Sequence, residues 1–253
     1  MQHEFSRTEL LIDSSGLEKL RKSTVMIFGV GGVGSFTAEA LARAAVGHLI
    51  LVDFDVISLS NINRQLHALH STLGDTKVEV MKRRILDINP AAKVETILEF
   101  YSEANAERLL DRKLDYVIDA IDTVSSKVNL VKECLLRKIP LISSMGAGNR
   151  LSAENYKVTD ISKTTGDPLA RAMRKLLRQE GIIKGIKVVS TSDLPLTPLY
   201  TENDLFNDTS LSEDAPYAQK RQTPGSISFV PPVVGLLIAG EVVRDLLQCE
   251  RES

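Results

Sequence analysis

The stretch TVMIFGVGGVGSFTAEALAR sets Gly29, Gly31, Gly32 and Gly34 between an apolar run that fits a buried strand and an alanine-rich run that fits a helix. No other feature limits the fold so much. Glycines at such a junction let the backbone turn sharply and approach a phosphate, which the free N–H groups of the helix N-terminus attract. The turn predicts a nucleotide site but does not by itself choose between NAD, FAD and ATP.

The pattern after the turn extends the argument. Strands are predicted at Thr24–Phe28, from His48, at Lys93–Ile97, from Tyr116 and over IPLISS, with helices at 35–45, 75–88, 104–110 and 127–137 between them. Strands alternating with helices predict an α/β fold, a doubly wound, mostly parallel Rossmann-like sheet with helices on both faces. Residues 4–21 predict two short helices broken at Ser-Ser-Gly. GAGNR (146–150) is expected to be a flexible link. Residues 1–150 would form the nucleotide-binding half, and 151–253 a substrate-facing half of the same domain. The second half predicts a strand at 155–161, a helix at 167–180, a strand at 184–190, and a closing strand (226–230) and helix (233–247). Between them, 191–225 has little periodicity, four prolines and an acidic bias, and is expected to be a mobile crossover loop.

Composition excludes several classes. A net charge of -2 gives no overall attraction to nucleic acid, so a polyanion must meet a local patch. Two cysteines are too few for a disulfide framework or a four-thiolate zinc site, which fits a reducing cytoplasm. The mixed-charge start is unlike a signal peptide, and FVPPVVGLLIAG is too short to span a bilayer, so no membrane role is expected.

The candidate chemistry gathers just past the strands. Asp53 ends the second strand, where an acidic side chain binds ribose hydroxyls in dinucleotide enzymes too. Asn61, Asn63, Arg64 and Gln65 follow as a polar cluster, and Lys77 opens the next helix. A dinucleotide enzyme has no general need for two cations beside its pyrophosphate. An adenylating enzyme must stabilise charge moving onto a leaving pyrophosphate, for which Arg offers a planar fork and Lys a compact charge. Asp122, after a strand, is placed to hold Mg²⁺ against the phosphates. His67 and His70 lack a third ligand nearby and are assigned surface or capping roles.

GVGGVG, Asp53-Phe54-Asp55, SNINRQ (60–65), Lys77 and DAID (119–122) together resemble the E1-like (ThiF/MoeB-type) adenylating superfamily. The resemblance implies that Asp53 and Asp55 lie in the ATP site, with Asp53 on the ribose. It further implies that Arg64 and Lys77 hold phosphates, that Asp122 serves Mg²⁺, and that Arg7 reaches across a homodimer into the partner's ATP site. Sulfur-carrier-activating members of the superfamily usually carry two CxxC pairs. This chain has neither, so no zinc site is expected, and 191–225 contains no cysteine to form a thioester. Cys134 is read as core and Cys249 as an incidental thiol.

Residues 167–181 predict a helix capped by Asp167 and Pro168, with Arg171, Arg174, Lys175 and Arg178 on one face. Over 163–187, seven basic residues stand against two acidic, as fitting for a solvated helix as for a polyanion-binding face. VTDISKTTGDPLARAMRKLLR, IKVVSTSDLP and GSISFVPPVVGLLIAGEVVRDL resemble the tRNA threonylcarbamoyladenosine dehydratase family (TcdA, or CsdL). That resemblance implies ATP-dependent adenylation of the threonyl carboxylate on adenosine-37 of tRNA. The substrate's carbamoyl group then closes a ring and expels AMP, so no enzyme thioester is required. The basic helix would orient the tRNA, and a cysteine desulfurase system is a further partner left open. The alternatives are activation of a ubiquitin-like sulfur carrier, and an NAD-dependent oxidoreductase or nucleotide-binding interaction protein.

Overall fold

The structure, a computed structural model, describes residues 2–200 and 224–248. Of the expected crossover loop, residues 201–223 lie outside the described residues, as does Cys249. Helix α1 (Ser6–Lys22) is interrupted at Asp13, whose backbone leaves the helical region. The Asp13 carboxylate accepts from the N–H groups of Ser15 and Gly16 at 2.7 and 3.0 Å. It thus caps a second helical piece, in line with the two helices expected.

The alternating units then follow: β1 (Thr24–Phe28), α2 (Gly34–Arg43), β2 (His48–Val52), α3 (Lys77–Ile88), β3 (Lys93–Ile97), α4 (Glu103–Leu110), β4 (Tyr116–Asp119), α5 (Val124–Arg137) and β5 (Leu141–Ser144). Next come β6 (Lys157–Asp160), α6 (Pro168–Gln179), β7 (Lys187–Ser190) and the final helix, α7 (Val230–Leu247). All seven strands join one sheet in the order β3-β2-β1-β4-β5-β7-β6. Every pairing is parallel except β6 with β7. The order reverses between β1 and β4, and in open α/β sheets that switch point is where ligands bind.

Strand alternation divides the core. Val25 and Ile27 of β1 pack with α2, α3 and α7, whereas Met26 and Phe28 pack with α4 and α5. A third cluster joins Val131 of α5 to Met173 and Leu177 of α6 and Val188 of β7.

Two expectations are corrected. Residues 226–230 form no strand; the chain runs irregularly to Phe229, and α7 begins at Val230. Pro231 and Pro232 sit in its first turn, where their missing N–H groups leave no helical bond unmade. The 146–150 link is fastened rather than free. Arg150 is buried and donates to Gly146 O and Asp193 O, and the Tyr156 hydroxyl donates to Gly146 O at 2.6 Å. Asn149 ties three stretches together: it exchanges backbone and side-chain bonds with Gly225 at 2.6–2.7 Å, and its carbonyl accepts from Leu196 N–H at 2.7 Å. No helix among the described residues is long and apolar enough to cross a membrane.

Candidate nucleotide site

A cavity of about 370 Å³ opens at the C-terminal ends of β1, β2 and β4. Gly29, Gly31, Gly32, Asp53, Asp55, Asn61, Arg64, Gln65, Lys77 and Asp122 all line it. Gly34, Asn63 and Arg7 do not. Gly34 works from behind: a Cβ there would lie 1.8 Å from Gly29 O, so the turn closes only on glycine. Asn63 donates to Ser226 O at 3.0 Å and ties the polar cluster to the segment entering α7. Arg7 is exposed on α1, away from its own chain's cavity.

The turn is built to receive an anion. Helix α2 starts without a side-chain cap; the Ser35 N–H turns back to Gly31 O at 3.0 Å, while the Gly34 and Phe36 N–H groups have no protein acceptor among the described residues. A Cβ on Gly31 would meet nothing nearer than Gln65 Nε2 at 3.8 Å, so this part of the turn faces open space that a phosphate can fill. Asp53 is buried at the end of β2, and its carboxylate accepts from Val30 N–H at 2.6 Å and Asp55 N–H at 2.9 Å. Burial raises its pKa above the ordinary carboxylate value, against the opposing pull of the Lys77 charge and those two N–H bonds.

Lys77 projects from the first turn of α3 and pairs with Asp55 at 2.5 Å. Arg64 is half-buried and donates to Ser60 O and Asn63 Oδ1, both at 2.9 Å. Its other guanidinium N–H groups have no protein partner among the described residues. Asp122 is exposed and lines the cavity, and among the described residues its one hydrogen bond is from Thr123 Oγ1 at 3.3 Å. One exposed carboxylate beside a phosphate cradle suits Mg²⁺, which takes one or two carboxylates and fills its other positions with phosphate oxygens and water. No group of three metal-ligating side chains occurs among the described residues.

Sequence reasoning missed three parts of this region. Phe54 and Phe100 form an edge-to-face pair, centroids 5.2 Å apart, on the apolar side of the cavity. Ala147, Gly148, Pro224, Gly225 and Ser226 also line the cavity. Lys127 of α5 is fully buried, pairs with Asp119 at 2.9 Å and donates to Ile121 O at 3.1 Å, bracing the loop that carries Asp122. The side of α5 facing the strand ends was the available signal for Lys127. The wall residues are far apart in sequence and carried none.

The histidines are corrected in part. His70 is exposed, but His67 is buried behind the glycine turn with Nε2 2.6 Å from Val30 O. Cys134 is core, as expected, and burial pushes its thiol up to about 12.

Helix α6 carries the basic residues. Asp167 caps it, accepting from Leu169 and Ala170 N–H, and also holds Gly146 N–H at 2.9 Å beside the cavity wall. Arg171, Lys175 and Arg178 are exposed, with no ion pair among the described residues. Arg174 instead turns back onto the Thr164 carbonyl and hydroxyl. Lys187 leaves the patch as well, pairing with Glu241 and Asp245 at 2.9 and 2.6 Å.

Comparison with known proteins places the chain among relatives of the same fold. The ThiF family model matches residues 5–253. The tRNA threonylcarbamoyladenosine dehydratase of Bacillus subtilis is 49% identical over 98% of this chain and 96% of its own length. The Escherichia coli enzyme of the same name is 38% identical over 74% of this chain and 70% of its own. A crystal structure of the E. coli dehydratase in complex with ATP superposes with a TM-score of 0.84, covering 97% of this chain and 94% of that one at 30% identity. By its motifs, its fold and these matches, the chain belongs to the ThiF family.

Proposed function

We infer that the chain is an ATP-dependent tRNA threonylcarbamoyladenosine dehydratase. The observation that carries this reading is a cavity at the β1/β4 switch point that gathers an uncapped helix N-terminus, two cations and an acidic ribose-side group, with no cysteine among its lining residues. The threonyl carboxylate oxygen of the substrate attacks the α-phosphorus of ATP, and the bond to pyrophosphate breaks. The carbamoyl group of the same nucleoside then attacks the acyl carbon, and AMP leaves with the carboxylate oxygen. Both reacting groups belong to one molecule, so proximity does for the second step what an enzyme thioester does elsewhere.

Within that chemistry each residue has a defined part. The glycine turn and the α2 N-terminus hold phosphate oxygens. Asp53 receives the ribose. Lys77 and Arg64 neutralise charge on the phosphates as pyrophosphate departs, Lys77 exchanging Asp55 for phosphate oxygen. Asp122 would hold Mg²⁺, which supplies charge neutralisation at the phosphates. Arg171, Lys175 and Arg178 would contact tRNA phosphates, positioning the substrate without reading its sequence. A homodimer in which Arg7 enters the partner's cavity, and a cytoplasmic setting where ATP and tRNA meet, complete the proposal.

The test is direct. tRNA from a strain lacking this gene is incubated with the protein and Mg-ATP, digested, and its modified adenosine weighed. Loss of one water with release of AMP supports the reading. An unchanged mass would sink it and turn attention to a carrier-protein carboxylate, the second substrate class this site chemistry could serve.

A further inference from the structure

We propose that His67 is a positioning residue that aims the Gly31 amide into the nucleotide cavity. The peptides around Val30 are gripped from two directions. Asp53 Oδ2 takes the Val30 N–H at 2.6 Å, and His67 Nε2 meets the Val30 carbonyl at 2.6 Å. A carbonyl can only accept, so His67 Nε2 carries the proton and donates. The other ring nitrogen, Nδ1, is buried without a partner among the described residues. A proton there would be an unsatisfied buried donor, and that cost keeps the neutral Nε2–H form in place.

Peptide planarity turns this grip into a direction. In a trans peptide the C=O of one residue and the N–H of the next point opposite ways, and the described chain has no cis peptide. Holding the Val30 carbonyl toward His67 therefore sends the Gly31 N–H away from the histidine. Gly31 lines the cavity, and its N–H has no protein acceptor among the described residues. The amide is left aimed and unpaired, as a phosphate donor needs to be.

The same side chain also spaces the two halves of the site. His67 lies two residues past Gln65 and three past Arg64, both of which line the cavity. The Ser35 hydroxyl of α2 lies 3.3 Å from Leu66 N–H. Together, Leu66 and His67 fasten the Arg64 segment to the glycine turn. Donation through one buried ring thus sets the distance between amide and guanidinium, the two donors that ATP must meet at once.

This proposal rests on the nucleotide reading of the cavity, and its test separates the two. ATP and adenosine affinities are measured by calorimetry or competition for the wild type, His67→Phe and His67→Gln. Phe fills the ring's space without a donor; Gln restores an N–H. If ATP does not bind the wild type, the nucleotide reading fails. If it does, the expected result is about a tenfold loss of ATP affinity in His67→Phe, the value of one lost hydrogen bond. Adenosine affinity should stay within about twofold, because it carries no phosphate, and His67→Gln should recover most of the loss. Equal weakening of ATP and adenosine, or unchanged ATP binding, overturns the proposal. A measurement on the unmodified protein covers the case in which Phe fails to fold. The ring ¹⁵N shifts of His67 must report a proton on Nε2, and a proton on Nδ1 overturns the proposal outright.

Discussion

Two lysine–aspartate pairs flank the nucleotide cavity, and they differ in what surrounds them. Lys127 and Asp119 meet at 2.9 Å with both side chains 0% exposed. Ser143 Oγ and Ile121 N–H also donate to Asp119, at 2.6 and 3.1 Å. Lys77 and Asp55 meet at 2.5 Å, but Asp55 is 43% exposed while Lys77 is 6% exposed. The first pair has no face left for a ligand. In the second, the carboxylate can turn to water and leave the ammonium to a phosphate. Identical charges thus become a brace in one place and a binding group in the other, and the difference lies in burial and in the number of competing donors.

The sharpest way to break the comparison is to remove each lysine in turn. Lys127→Met should cost about 3–5 kcal/mol by stranding a buried Asp119 charge, a fall of roughly 10 °C in thermal midpoint for a chain of this size. Loss of two degrees or less would mean that the pair is not a brace. Lys77→Met should lower kcat/KM by about 10²–10³. Its thermal midpoint should fall less than that of Lys127→Met, since Asp55 reaches solvent and only the attraction of Lys77 for the buried Asp53 is lost. A large stability loss with intact turnover would reverse the two assignments.

A pH titration sharpens the contrast further. His67 is held down to about 4, first by burial and then by the Lys77 charge, against the bond to Val30 O that favours the protonated form. In the unfolded chain its pKa returns to about 6.5. Below that value the unfolded state takes a proton that the folded state refuses. Stability should therefore fall as pH drops from about 6.5 to about 4, by about 3 kcal/mol from this group alone. Urea titrations across that range read the slope. Lys77→Met should make the slope shallower, and Lys127→Met should leave it unchanged.

The same distinction between tied and free cations recurs on α6, with a smaller effect. Arg171→Glu with Arg178→Glu should weaken tRNA binding by about tenfold or more and reduce the salt slope of log Kd by about two, with ATP affinity untouched. Arg174→Ala, by contrast, should cost about 1 kcal/mol of stability through the lost Thr164 bonds and change tRNA affinity little. Filter-binding at several salt concentrations tests all three substitutions.

Much of this was legible in the chain. Strands β1, β2 and β4 announce themselves as short apolar runs between helical segments, because a parallel sheet covered on both faces buries consecutive residues, whereas the edge strand β3 (KVETI) buries only Val94 fully. The glycine turn, Asp53, Arg64, Lys77 and Asp122 were found because their chemistry is local and follows strand ends. The rest depends on what folds against what. Residues 226–230 (SISFV) read as a strand because Ile227, Phe229 and Val230 lead into an apolar stretch, and only the position of Pro231 and Pro232 in a first helical turn reveals a helix start. Arg174 and Arg171 look alike in sequence. Thr164, ten residues upstream of Arg174, decides that they are not. His67 reads as a surface or capping residue because its partner, the Val30 carbonyl, carries no side-chain signature at all.

One detail at the mouth of the cavity bears on how this protein can change over time. Leu196 and Gly225 both bond to Asn149, so the chain between them leaves and returns through a single residue. The sheet and α7 are placed by their shared core, and the bonds at Asn149 fix where the chain leaves and returns. Lengthening a closed excursion is thermodynamically mild, about 0.6 kcal/mol for each doubling. A change of length in this stretch is therefore expected to leave the floor of the cavity in place. Asn149 is the position at which that freedom is purchased.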